Sequence, residues 1–195
     1  MRKIFILFVI LAITASVLVT CRTAPTPEPL PVEEPLPEPY VEAYVPEPEL
    51  PKEELPPFES NEFERLLFEI INIERRFNRL PPLTWHDGAS FVSREHSIDM
   101  FNNDLMRHTG SNGSTIRDRL ERACLKNMRR WSANIGGGYL TPEAVFEAWM
   151  ESPIYRPNIL SREFTHIGVG FFERPAGSNA RYATYWTVKL FSLDS

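Results

Sequence analysis

The chain has 195 residues, with 26 acidic and 21 basic side chains and a net charge of −5. No dense basic stripe interleaved with aromatic residues is present in the sequence, so a nucleic-acid partner is not expected. The basic pairs Arg75-Arg76 and Arg129-Arg130 are interpreted as solvated surface. With only two cysteines, any domain must depend on its apolar core rather than on several disulfides.

An apolar run over residues 4–19 follows two basic residues at the N-terminus. It is shorter than the about 20 residues that a spanning helix needs, and it predicts a lipoprotein signal peptide over residues 1–20. The sequence Leu18-Val19-Thr20-Cys21 resembles a lipobox, which predicts cleavage before Cys21 and lipid attachment to its thiol. The alternative is an uncleaved signal anchor with an incidental cysteine. Either reading places the rest of the chain outside the cytoplasm, and a lipoprotein would stay anchored on a bacterial membrane, with the outer membrane or cell surface expected.

The segment 24–57 contains twelve of the 18 prolines and nine glutamates against one lysine. Proline fixes φ and removes hydrogen-bond donors, and like charges repel, so this segment cannot build a core. Together with the acylated Cys21, it is predicted to form a disordered, polyproline-like tether over residues 21–57. Residues 24–57 carry a net charge of −8 and residues 1–23 carry +3, so residues 58–195 are neutral overall. We interpret the tether as a spacer.

The remaining residues, 58–195, have the length of one domain. Apolar residues at helical spacing and alternating β-branched and aromatic runs predict an α+β fold, with helices around a small antiparallel sheet. The predicted helices are Asn61–Phe77, Ala89–Met106, Ser114–Cys124 and Pro142–Met150. The predicted strands are Trp131–Ile135, Ile167–Phe172 and Tyr182–Leu190.

Several ordered motifs resemble one family. They are Leu80-Pro81-Pro82-Leu83-Thr84-Trp85, His108-Thr109-Gly110, Asn134-Ile135, Trp149-Met150-Glu151-Ser152-Pro153, Arg156-Pro157-Asn158-Ile159-Leu160 and Ile167-Gly168-Val169-Gly170. The order is similar to that of the CAP superfamily, also called SCP-like, in its bacterial single-domain form. The resemblance covers residues 58–195 and implies an α-β-α sandwich. The ligands it implies are sterols and other lipids, peptides, and cell-wall or host components.

The family resemblance also implies a cleft with two histidines and two glutamates that sometimes binds a divalent metal. His108 matches the first histidine, Ala133 stands where a glutamate precedes Asn-Ile, and Tyr155 stands where the second histidine is usual. His166 is a nearby candidate without a fixed place in the set. The expected cleft and ligand-binding residues are therefore His108, Ser132, Asn134, Tyr155 and His166.

These departures bear on metal binding and catalysis. A catalytic zinc site needs about three protein ligands and an open position, and the sequence offers His108 and His166 as metal ligands. Acid-base work would likewise depend on these two histidines. No serine-elbow or zinc-helix motif is present in the sequence, and Cys124 is interpreted as a buried, inert thiol.

Other side chains have structural interpretations. Each of the four tryptophans lies in an amphipathic or strand pattern and is expected in the core, and His96 is expected to be a satisfied helical histidine. His86 is expected in an exposed turn, and Asn134 is expected to satisfy backbone groups as well as line the cleft.

Three functions remain open from the sequence. The leading hypothesis is a cell-envelope lipoprotein whose degenerate cleft binds a small hydrophobic, peptide or envelope ligand, without a confidently assigned catalytic residue. The alternative is a metal-assisted hydrolase that uses His108 and His166. The third is a structural envelope or adhesion module.

Overall fold

The computed structural model describes residues 55–193 of the chain. These residues belong to a unit that begins at Glu49. The described elements are α1 Glu62–Phe77, β1 Thr84–Trp85, α2 Asp87–Asn102, α3 Ile116–Arg122, β2 Met128–Gly137, α4 Pro142–Glu151, α5 Arg156–Ile159, β3 His166–Glu173 and β4 Thr184–Leu193.

The four strands form one sheet in the order β1-β3-β4-β2. β4 is central and pairs antiparallel with both β3 and β2, whereas the two-residue β1 pairs parallel with β3. β2 therefore forms one edge of the sheet, which is where the cleft described below opens.

The helices begin at capping residues that the sequence contains. Asn61 and Thr115 each form a capping box. The side chain of the capping residue accepts a hydrogen bond from a backbone N–H of the first turn, and an acidic side chain of that turn accepts one from the backbone N–H of the capping residue. Thr141 caps α4 and Pro142 occupies its first position, where a missing N–H costs nothing. These local signals explain why the starts of α1 and α4 lie within a residue of their predicted places.

The side of the sheet that faces α1 and α4 is a large apolar layer. The inward residues of β3 and β4 pack there on buried positions of the two helices. The layer includes Leu67, Ile71, Val145, Trp149, Ile167, Val169, Trp186, Val188 and Leu190. Burial of this kind contributes about 25 cal/mol per Å² of apolar surface and is the main stabilising term.

The opposite side of the sheet faces α2 at close range. A Cβ on Gly168 would overlap the backbone of Ala89, and a Cβ on Gly170 would overlap the backbone of Ser93 and Arg94. Since both positions lack side chains, small residues and hydroxyls fill the contact between α2 and β3, and smaller apolar clusters that include Val92, Met100 and Phe191 pack beside it. Ser97 Oγ lies within hydrogen-bond distance of Gly170 O, at 3.1 Å, and of Thr187 Oγ1, at 3.0 Å.

The structure confirms the α+β class and the α-β-α sandwich, and it corrects several details. The sheet is mixed rather than purely antiparallel, because β1 adds a short parallel strand. α2 begins at Asp87 and ends at Asn102, where Asn103 caps it, rather than running from Ala89 to Met106. The elements β1 and α5 are too short to show a periodicity in the sequence.

Burial also differs from expectation at individual residues. Cys124 is exposed, because it follows the end of α3 at a φ of 63°, in the left-handed region. Trp131 is 37% exposed on the edge strand, whereas Trp149 and Trp186 are buried as expected. Arg75 is fully buried, not solvated, and its guanidinium donates to the carbonyls of Ile159 and Ser161 at 2.8 Å.

The signal peptide, Cys21 and the tether up to residue 54 lie outside the described residues. Within residues 55–193, no helix is both long enough and apolar enough to cross a membrane.

Candidate functional site

A cavity of about 360 Å³ opens at the free edge of the sheet, between β2, α4 and the loop that follows α2. Its wall is aromatic, with Tyr139, Tyr155, Tyr182 and Trp149, and no charged side chain is among its lining residues. This size and character are those of a small-molecule site, in which apolar walls provide contact and a few polar groups set orientation.

Two glycines of β2 line the cavity at positions where a side chain would overlap its neighbours. A Cβ on Gly136 would lie 2.8 Å from Val145 Cγ2, and a Cβ on Gly137 would lie 2.8 Å from the Tyr182 ring. Gly138 follows at a φ of 86° and turns the chain away. The sequence predicts that the glycine run ends the strand, but Gly136 and Gly137 still belong to β2 and only Gly138 lies beyond its end.

Asn134 fixes the wall that carries Tyr155. Its Nδ2 donates to the Tyr155 carbonyl at 3.2 Å, and its Oδ1 accepts from Asn158 Nδ2 at 2.8 Å. Ser152 Oγ, at the end of α4, accepts from the Tyr155 N–H at 3.2 Å. Asn134 is fully buried, so it positions the wall and is not itself a free ligand-binding group.

His108 lies beside this cavity in the loop between α2 and α3. Its ring meets the Tyr155 ring edge-on at a centroid distance of 6.1 Å. Burial, with contributions from Arg119 and Lys189, lowers the pKa of the His108 imidazole below its ordinary value. His108 is therefore neutral at pH 7, and its buried Nδ1 has no hydrogen-bond partner among the described residues.

Basic groups surround His108 on the side of α2 and α3. Arg119 is buried and its Nη2 donates to the His108 carbonyl at 2.6 Å. Lys189, in the centre of β4, is fully buried, and its Nζ donates to the Val92 carbonyl at 2.9 Å. Desolvation lowers the pKa of Lys189 well below its ordinary value.

His96 is buried on α2 as expected, but only one of its two ring nitrogens is hydrogen-bonded within residues 55–193, so the prediction of a satisfied histidine holds only in part. Its Nε2 lies 3.1 Å from the Arg107 carbonyl, whereas its Nδ1 has no hydrogen-bond partner in the part of the chain that the structure describes. Burial, together with Lys189 and Arg119, lowers the pKa of His96 to about 3. Both histidines near the cleft are therefore held in the neutral form.

His166 is not part of this cleft. It begins β3 and stacks on Phe191 at 5.3 Å, in the same corner as His86, which caps α2. Across the sheet, β3 is two strands from β2, which is about 10 Å. Along the strands, Phe191 lies four residues, or about 13 Å, from Thr187, which pairs with Ile135 in the cleft floor. The pairing of His108 with His166 predicted from the sequence is therefore not formed.

The residues around His108 do not fit a divalent metal. No group of three or more His, Cys, Asp or Glu side chains able to hold a metal ion occurs within residues 55–193. Ala133 pairs in register with Lys189, so a buried amine lies where a carboxylate ligand would be favourable. Zinc needs about three protein ligands. The charged groups that act on His108 are the guanidinium of Arg119 and the amine of Lys189, and neither is a suitable ligand for a cation.

Of the five expected cleft residues, the structure brings His108, Asn134 and Tyr155 together. Ser132 is half-buried on the same face of β2 as Asn134, two residues further from the cavity. The sequence analysis missed Met106, Tyr139 and Tyr182, which line the cavity. Tyr139 follows the glycine run and could have been noticed there, whereas Tyr182 reaches the cavity only through the β3–β4 connection.

The sandwich and its edge cleft define the class of the protein as an SCP-type domain. A family model described as "Cysteine-rich secretory protein family" matches residues 68–190, which is more than half of the chain. The chain therefore belongs to the CAP family.

Two curated relatives come from Bacillus subtilis (strain 168). "Uncharacterized protein YkwD" is 34% identical over 111 residues, covering 57% of this chain and 43% of the relative. "Uncharacterized membrane protein YlbC" is 29% identical over 107 residues, covering 55% and 31%. The chain thus spans less than half the length of either relative.

Solved structures show the same fold. An extracellular protein containing an SCP domain from Bacillus anthracis str. Ames has a TM-score of 0.58 and 27% identity, covering 66% of this chain and 39% of that one. An outer surface protein from Borrelia burgdorferi has a TM-score of 0.62 and 18% identity, covering 70% and 97%. These two neighbours are extracellular or surface proteins.

Proposed function

We propose that this chain is an extracytoplasmic, lipid-anchored binding module that takes a small ligand into the cavity beside His108. The observation that carries the proposal is the uncharged aromatic cavity at the β2 edge. A neutral wall of tyrosines and a methionine provides contact area for an apolar or amphipathic ligand at low conformational cost. The tyrosine hydroxyls supply a few polar contacts that can orient it.

The same site supports binding better than hydrolysis. A general base needs a group that fixes its tautomer and orientation, and within residues 55–193 the buried Nδ1 of His108 has no such partner. His166 lies in another corner of the sheet, and the charged groups that act on the pKa of His108 are Arg119 and Lys189 rather than carboxylates. The groups that would activate water are therefore not assembled around the cavity.

The anchor is proposed from the sequence. The signal peptide and Cys21 would hold the chain at a bacterial membrane, and the acidic, proline-rich tether would hold the CAP domain away from that surface. Surface neighbours such as the Borrelia protein support an extracytoplasmic location.

A cavity-filling variant tests the binding site. Ala148 of α4 lines the cavity and is half-buried, so Ala148→Trp would place an indole in the space that a ligand needs. Glu143→Trp adds the same ring to an exposed position of the same helix and is the matched control. Binding would be screened by saturation-transfer NMR with a sterol, a fatty acid, a short peptide and a muropeptide. Every compound that binds should bind at least about 10-fold more weakly to Ala148→Trp and unchanged to Glu143→Trp.

Two outcomes would contradict this function. If ligands bind Ala148→Trp as well as the parent, the cavity is not the site, and an outer-surface adhesion role takes its place. If the protein turns over ester, peptide or glycan substrates and His108→Ala abolishes that turnover with the circular dichroism spectrum intact, it is a hydrolase. Anchoring is tested separately, since Cys21→Ala should lose labelled fatty acid and leave the membrane fraction.

A further inference from the structure

Helix α1 carries an apolar stripe on the face that points away from the domain. The stripe consists of Leu66, Ile70, Ile73 and Phe77. The exposed fraction is 39% for Leu66, 43% for Ile73 and 81% for Phe77. Ile70 is half-buried. At 100° per residue these four positions fall within about 60° of one another, so they form a single line along the helix.

This stripe is distinct from the face by which α1 joins the fold. Leu67, Ile71 and Arg75 are fully buried against the sheet and the loops on the other side of the helix. An amphipathic surface helix normally has polar residues on its outer face. α1 therefore has two apolar faces, and only one of them is covered by residues 55–193.

The spacing of the stripe is that of a seam between paired helices. Its members are separated by four, three and four residues, which is the alternation of a and d positions in a heptad. Such seams bury the side chains of one helix between those of another. In a two-fold antiparallel pairing, Leu66 would meet Phe77 of a second copy, and Ile70 would meet Ile73.

The charges beside the stripe complement each other in that pairing. Glu69 and Arg76 are exposed along the same side of the stripe, and neither forms an ion pair within residues 55–193. They are seven residues apart on one helix, about 10 Å, so they cannot reach each other within a chain. The antiparallel arrangement that aligns the apolar residues also brings Glu69 of one copy to Arg76 of the other, twice by symmetry.

We propose that α1 is a self-association surface, through which two copies of this chain pair as an antiparallel, two-fold helix dimer. This inference goes beyond the ligand-binding function and does not depend on it. The contact is a single helix pair, so it is smaller than a standard interface, and association in solution is expected to be weak. Confinement to a membrane by the proposed anchor would raise the effective concentration and favour the pair.

Sedimentation velocity of the chain from residue 22 onward, which retains every described element, tests the dimer over a concentration series. The parent should show a monomer–dimer equilibrium at micromolar to submillimolar concentration. Ile73→Lys should raise the dimer dissociation constant at least about 10-fold, because it places a charge in the seam. Ile154→Lys is the matched control, since Ile154 is 73% exposed and belongs to the loop after α4 and not to the stripe, and it should leave the dissociation constant unchanged.

A charge exchange tests the register. Glu69→Arg alone and Arg76→Glu alone should each weaken the homodimer, because each places like charges opposite one another. An equimolar mixture of the two variants should form a heterodimer more tightly than either forms a homodimer, because both contacts are then complementary. The double variant Glu69→Arg/Arg76→Glu should associate like the parent.

Clear results would overturn the proposal. A chain that stays monomeric up to about 1 mM has no self-association surface, and the stripe must then take another occupant. A dimer that is unaffected by Ile73→Lys uses a different face. A dimer that is weakened by Ile73→Lys, without a preference for the heterodimer in the mixture, excludes the antiparallel register. Circular dichroism melts of each variant distinguish these results from loss of the fold.

Discussion

The two faces of the sheet are built on different physical principles. The face toward α1 and α4 is filled by large apolar side chains, whereas the face toward α2 combines glycines, serines and a buried lysine with smaller apolar clusters. On the first face, stability comes from apolar area and packing, which tolerate substitutions of similar volume. On the second face, the backbone of a helix rests almost directly on a strand, so there is no space for an added side chain. The first face should therefore tolerate substitutions of similar volume, whereas the second should not tolerate even an added methyl group.

The largest effect is expected where the backbones touch. Gly170→Ala would place a methyl group in the position of the Ser93 and Arg94 backbone, which cannot move without shifting α2. We expect a loss of about 3 kcal/mol or more in the free energy of unfolding, measured by urea titration. Gly88→Ala is the control, because its Cβ would meet neighbours at 3.3 Å or more. An equal, small effect at both glycines would show that the α2 face is not tightly packed.

A deletion on the apolar face should have an effect of similar size at most, whereas a substitution of similar volume should have a small one. Leu67 is fully buried in the layer between α1 and the sheet. Leu67→Ala should cost about 3 kcal/mol through lost contacts and a cavity, while Leu67→Met should cost less than about 1.5 kcal/mol. The same denaturation measurement checks both. If the methionine variant is as damaged as the alanine variant, this face does not have the tolerance that distinguishes it.

The smallest effect, of the opposite sign, is expected at Lys189. Burial lowers its pKa well below 10.5 in the folded state, so the unfolded chain binds an additional proton between the folded and unfolded pKa values. Stability then rises with pH across that window, and the lysine is destabilising below it. Lys189→Met should raise the free energy of unfolding by about 1–2 kcal/mol at pH 7, with a gain that shrinks as the pH approaches 10.5.

Thermal melts of Lys189→Met and the parent from pH 6 to pH 10 measure this difference. Subtracting the two curves removes the titration of the other groups. A lower stability of Lys189→Met at every pH would mean that the Nζ contact with the Val92 carbonyl outweighs the cost of burying the amine.

The apolar face could be predicted from the sequence and the α2 face could not. Helical spacing in α1 and alternation in β3 and β4 identify positions that must turn inward, and capping residues fix where α1 and α4 begin. No local pattern shows that Arg75 is buried, because all but one of its partner carbonyls belong to residues more than 80 positions away. Lys189 likewise lies in an apolar strand and looks like a surface interruption until Gly168 and Ala133 are found on either side of it.

The candidate site shows the same division. The family motifs brought His108, Asn134 and Tyr155 to attention, and these residues do meet around one cleft. His166 is a nearby candidate in the sequence because it enters the strand that carries the last motif, but the sheet order places that strand two strands away from β2. Met106 and Tyr182 belong to the cavity wall and come from distant parts of the domain sequence, so only the closed fold could join them.

By itself, the sequence determined the class, the main elements and the family, because periodicity, capping and motif order are local or ordered along the chain. The sequence also predicts a leader, a lipid-modified Cys21 and an acidic tether, from the apolar run, the lipobox-like motif and the composition of these segments. The tertiary structure alone decided which polar groups are buried, which histidine faces the cavity, and which apolar face of α1 is left outside. These depend on which distant segments approach each other, and close packing fixes that approach only when the whole domain is assembled.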